Sequence, residues 1–181
     1  MITEFARDHA FTIAWLGLMA MVWFGWGQED PAPAWRWRLA AGSVLGVVLA
    51  GVFGYAMILR WAQGSALEDR YAWFGVLVAV EVIAAGAGCL WLALHGRGRW
   101  MAWWVAMVVA AHFVPLALLL QDLSLGALAL VQLAGLTAIV PRLRGADVTS
   151  SRLVGPPMGI GLLVFALISA VIFLVRVGAP W

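Results

Sequence analysis

Six apolar runs, each about as long as a bilayer is thick, leave this chain few choices of fold. They cover residues 9–26, 39–59, 72–94, 101–120, 123–140 and 153–175. A helix crosses the hydrocarbon core with roughly 20 apolar residues. Only helices and closed barrels satisfy every backbone polar group in that medium. Runs of this length predict an all-α integral membrane bundle of six transmembrane helices. The polar breaks between them are too short to house a second domain, so residues 1–181 read as one transmembrane domain. Gln121 and Asp122 alone separate the fourth and fifth runs, which predicts an antiparallel hairpin.

Composition supports this class. The chain is 65% hydrophobic and 11% charged, against roughly 45–50% and about 25% for a soluble globule. All eleven basic residues are arginine, scattered over short loops with no basic stripe. Nucleic acid is therefore not an expected partner. The arginine bias points to a GC-rich, bacterial genome. Arg7, Arg60, Arg70 and Arg176 fall on the side of the termini. Arg36, Arg38, Arg97, Arg99, Arg142, Arg144 and Arg152 fall on the other. Positive charge gathers on the cytoplasmic side. The expectation is a multi-pass protein of the inner (plasma) membrane with both termini outside. The amino terminus, with Glu4, Arg7 and Asp8, lacks a positive leader pattern, so the first run reads as a permanent span and not a cleaved signal.

Polar residues inside the runs are the candidates for function. By helix rise, about 1.5 Å per residue, Glu81, His112 and Gln132 all lie near the bilayer midplane. They sit on three consecutive helices joined by short loops, and the expectation is that they meet. A lone carboxylate at that depth costs roughly 2.5–3.5 kcal/mol or more. Glu81 escapes that cost by taking up a proton or by pairing with His112. Gln132 offers donors and an acceptor to complete the network. Pro115 removes the helical donor to the carbonyl of Ala111, beside His112. The cluster reads either as a ligand-binding or proton-linked site or as a buried clasp that fixes helix register.

Cofactor chemistry finds little support. A haem held by two histidines needs a second ligand at the depth of His112, and His9 and His95 lie at the ends of their spans. A lone axial histidine stays open. No metal-binding spacing is present. Cys89 has no partner for an internal disulfide and reads as a packing residue. Asp8, His9 and Asp122 are candidates for a mouth on the outer face. Gly155, Pro156 and Pro157 open the sixth run either as an ordinary helix start or as an unwound segment.

Gly42, Gly46, Ala50 and Gly54 recur every four residues. They line one helix face along which another backbone can approach closely. This face is expected to pack a second helix of the same chain or to form the seam of a homo-oligomer.

The run of His112, Phe113, Pro115, Leu116 and Ala117 resembles one in uncharacterised small multi-pass bacterial membrane proteins. The resemblance covers that motif alone and implies no activity. Three functional readings follow. The first is a carrier or ligand-binding protein for a small molecule or proton, with a midplane Glu/His site. The second is a membrane-embedded enzyme acting on a lipid or quinone, with Glu81 and His112 as acid and base. The third is a structural or regulatory subunit. A carrier needs a path from the midplane to water, an enzyme needs a lateral opening, and a subunit needs neither.

Overall fold

The computed structural model describes residues 5–145 and 147–181. Residues 1–4, part of the amino-terminal pattern read above, lie outside the described residues. The six expected spans are six α-helices: α1 Ala6–Gly27, α2 Arg36–Leu59, α3 Tyr71–Leu94, α4 Met101–Leu119, α5 Leu123–Gly145 and α6 Ser150–Arg176. Each is long and apolar enough to cross a membrane. Four of them, α1, α2, α5 and α6, run at least three residues beyond their apolar runs. Pro141 lies inside α5, and Pro156 and Pro157 lie inside α6. The opening of α6 is therefore helical, not unwound. The basic end of α5, Arg142 and Arg144, suits the negative end of the helix dipole.

The α4–α5 hairpin follows from local chemistry. Gln121 adopts the left-handed conformation (φ 53°), and the Asp122 N–H returns to the Ala117 carbonyl at 2.9 Å. That closes α4 with a Schellman-type turn. The next helix starts at once, because Oδ1 of Asp122 accepts from the Ser124 N–H at 3.0 Å, as an N-cap does. One residue thus ends one helix and the next starts the other.

α1 lies at the centre. It packs most extensively against α2 and α6, and α4 packs against α3, α5 and α6. The α1–α2 contact depends on bare backbone. A Cβ on Gly17 would lie 2.7 Å from the Gly46 carbonyl oxygen, and one on Gly42 would strike the Phe24 ring at 2.6 Å. The small-residue face of α2 is therefore occupied by α1 of the same chain at Gly42 and Gly46. Around Gly54 there is open space. On the other flank of α1, Gly27 meets Gly155 of α6 at a similar distance, 2.7 Å from Cα to a built Cβ.

α3 is the outlier. Its backbone packs chiefly against α4, and Leu92 is its one buried residue. Trp104 holds it there. The Trp104 indole N–H donates to the Ala84 carbonyl at 3.0 Å, and its ring occupies the space a side chain at Gly88 would need. That clamp sits one turn from Glu81 and sets its height against α4. Trp103 does the same on the other side of α4, donating to the Leu136 carbonyl of α5 at 3.0 Å.

Candidate functional site

Glu81 and His112 meet. Oε2 of Glu81 lies 3.2 Å from Nδ1 of His112, with the side chains 23% and 10% exposed. Nδ1 is buried and has no aligned hydrogen-bond partner among the described residues. The separation suits a charge-assisted contact, yet the ring nitrogen keeps capacity for a better-placed group. His112 is turned inward on α4, while Ala111 and Pro115 face outward. The proline therefore weakens the outer side of the helix at the level of the histidine.

The pair forms part of the wall of a cavity of about 290 Å³ between α1, α3 and α4. Phe11, Trp15, Met19 and Trp23 supply the α1 wall. Their four-residue spacing puts them on one helix face. Phe74, Val78 and Glu81 supply the α3 wall, and Val109, His112, Phe113 and Leu116 the α4 wall. Among the described residues, Glu81 and His112 are its only ionisable lining residues. A cavity with apolar walls and a few convergent polar groups is the usual form of a small-molecule site. Because the α3 backbone stays away from α1, the cavity lies in a lateral cleft between those two helices.

Phe11, Phe74 and Leu120 also line a second cavity of about 290 Å³, nearer the side of the termini. Arg7 and Asp8 stand at its rim. The Arg7 guanidinium donates to the Trp61 carbonyl at 2.9 Å and to the Tyr71 hydroxyl at 3.0 Å. It also lies over the Trp61 ring at 5.5 Å. Asp8 accepts from Ser65 Oγ at 3.1 Å and from the Ala66 N–H at 2.7 Å. These bonds tie the start of α1 to the α2–α3 loop over the cavity.

Of the expected mouth, only Asp8 lines this cavity. His9 is buried against α6, its Nε2 2.8 Å from Ser169 Oγ and its ring edge-on to Phe173. Asp122 caps α5 as described. Arg7, Trp61 and Tyr71 were not anticipated. Neither was the α1 aromatic row, although its spacing was present in the sequence.

Gln132 does not join the pair. It is 5% exposed and lines a separate cavity of about 170 Å³ with Gly135, Pro157 and Gly161 on the α5–α6 side. Its Nε2 and Oε1 have no partner among the described residues. Rotation about the α5 axis turns this residue toward α6. Among the described residues, no three His, Cys, Asp or Glu side chains are grouped as a metal ion would require.

Comparison with protein-family models, with curated proteins and with solved structures finds no match.

Proposed function

We propose that this membrane protein binds and carries a small amphiphilic molecule in the cleft between α1 and α3. Its polar end rests on the Glu81–His112 pair, and a proton on that pair is coupled to its movement. The observation that carries the reading is an ionisable pair, 3.2 Å apart, on the wall of an otherwise apolar cavity. Such residues in a span are costly, and a clasp would be better served by a dry, filled contact. The aromatic face of α1 suits an apolar body, and the unfilled capacity of His112 Nδ1 suits a hydroxyl or carbonyl. The adjoining cavity beneath Arg7 and Asp8 offers a route toward one face.

The lateral cleft equally favours a second reading, a membrane enzyme that takes a lipid or quinone from the bilayer, with Glu81 and His112 as acid and base. Conversion of the bound molecule, instead of its unchanged release, separates the two.

On this proposal the protein is bacterial and spans the inner membrane with the Arg142–Arg152 side in the cytoplasm. Reporter fusions at Gly145 and after Trp181 read the orientation, and activity placing Gly145 outside reverses it. The ligand test is mass spectrometry of organic extracts of the purified protein. The wild type should retain an amphiphile that the Glu81→Leu, His112→Leu double variant loses while staying folded. A wild type that retains nothing beyond bulk lipid, and is not stabilised by added decanol, overturns the reading.

A further inference from the structure

The orphaned amide of Gln132 is a different matter from the Glu81–His112 pair. A primary amide buried near the middle of α5, with neither donor nor acceptor engaged among the described residues, carries a cost of a few kcal/mol in an apolar setting. Its cavity, about 170 Å³, is open enough to hold a ligand group. Ile139 and Pro157 line both this cavity and a larger cleft of about 390 Å³, which reaches the face bearing seven arginines. Arg142 and Arg152 stand at the opening of that cleft. Arg152 contacts Asp30 at 3.3 Å, whereas Arg142 is exposed and has no partner among the described residues. Ten residues of α5 separate Arg142 from Gln132, about 15 Å of helix.

The two ends of this passage ask for different things. The opening is cationic and favours an anion. The inner end is neutral and presents one N–H donor and one carbonyl acceptor on the same planar group. A carboxylic acid satisfies both. Ionised, it pairs with guanidinium. Protonated, its carbonyl accepts from Nε2 while its hydroxyl donates to Oε1, giving two parallel hydrogen bonds. The ionised form is excluded from the inner end by the cost of charge at that depth.

We infer that the α5–α6 passage is a second site, for a monocarboxylic acid with an apolar body. Arg142, the guanidinium at the opening that is unpaired among the described residues, captures the carboxylate at the surface, and Gln132 holds the neutral acid at the inner end. The acid takes its proton from water at the arginine face and returns it there on leaving. The cavity walls, Ile139, Leu136, Val131 and Met158, accommodate the apolar body. This site stands apart from the Glu81–His112 cleft and does not depend on what that cleft binds.

The test is equilibrium binding of radiolabelled octanoic acid to the full chain in phosphatidylcholine nanodiscs. Saturable binding is expected, with octanol and octylamine competing poorly. Gln132→Met keeps the size of the side chain and removes both hydrogen bonds, so affinity should fall about tenfold. Gln132→Asn, which withdraws the amide, should also weaken binding. Arg142→Gln should cost about threefold, as an exposed charge does. Gly86→Ala, on α3 where nothing lies within 4 Å, should change nothing. The inference is overturned by a lack of saturable binding, by octanol competing as well as octanoic acid, or by Gln132→Met binding as the wild type. It is also overturned if phosphatidylglycerol competes in a way that depends on Arg142 but not on Gln132, which would mark a lipid-headgroup surface.

Discussion

The two faces of α1 behave in opposite ways. One carries Gly17 and comes so near α2 that a Cβ would lie 2.7 Å from a backbone oxygen. The other carries Phe11, Trp15, Met19 and Trp23 and borders a cavity of about 290 Å³. In lipid there is no hydrophobic drive to press two apolar helices together, so backbone approach and packing decide which contacts close. Small residues close one seam. Bulky ones line a cleft on the other side, where α3 is held in place by its contact with α4. A cavity beside a lone ionisable pair thus arises from side-chain size along a single helix.

The largest break in that contrast is expected at the closed seam. Gly46→Leu forces a side chain into the backbone of α1 and should destabilise by about 3 kcal/mol, as severe overpacking does. It would show as a lower melting temperature in detergent. Gly54→Leu, made where no atom lies within 4 Å, should not lower melting, since a helix-interior glycine is itself unfavourable. Equal melting of the Gly46 and Gly54 variants would mean that the seam is not held as described.

Next comes the open side. Glu81→Leu leaves His112 without its neighbour and should cost about 1–3 kcal/mol. Adding His112→Leu should recover much of that, because two apolar groups need no partners. Glu81→Gln keeps shape and hydrogen bonding, so the fold should persist while any proton-linked activity disappears, readable with a pH-sensitive dye in proteoliposomes. A double variant no more stable than the single one would show that the pair does not act as a unit.

A milder probe is Trp15→Ala. The ring is 44% exposed and borders the cleft, so its loss should cost under about 1 kcal/mol of stability while weakening retention of the bound amphiphile. A large drop in melting with normal retention would make Trp15 a packing residue. The smallest effect is expected on α3. Gly86 has nothing within 4 Å, and Gly86→Ala should add roughly 0.5–1 kcal/mol through helix propensity. A loss in thermal melting there would reveal a neighbour packed on α3.

The number and order of the helices follow from the chain itself. Apolar length sets a span, and the rise of a helix converts residue count into depth. That is why Glu81 and His112 could be expected to lie side by side, and why the short link at Gln121 and Asp122 implied a hairpin. One proline misled slightly. Pro141 looked like a boundary, but α5 continues through it, since in a bundle neighbouring groups can offset a lost backbone donor.

Rotation about each helix axis was not legible. In a soluble protein the polar face of a helix reveals which side is outward. Here lipid is as apolar as the interior, so nearly every face reads alike. Gln132, expected at the depth of His112, turns toward Gly161 of α6, and only the packing of α5 between α4 and α6 decided that. The same holds for Gly17. One glycine among twenty carried no mark of its role until Gly46 was placed against it. Sequence determines depth because distance along a helix is local. Tertiary structure decides partners because azimuth is set by contacts between segments far apart in the chain.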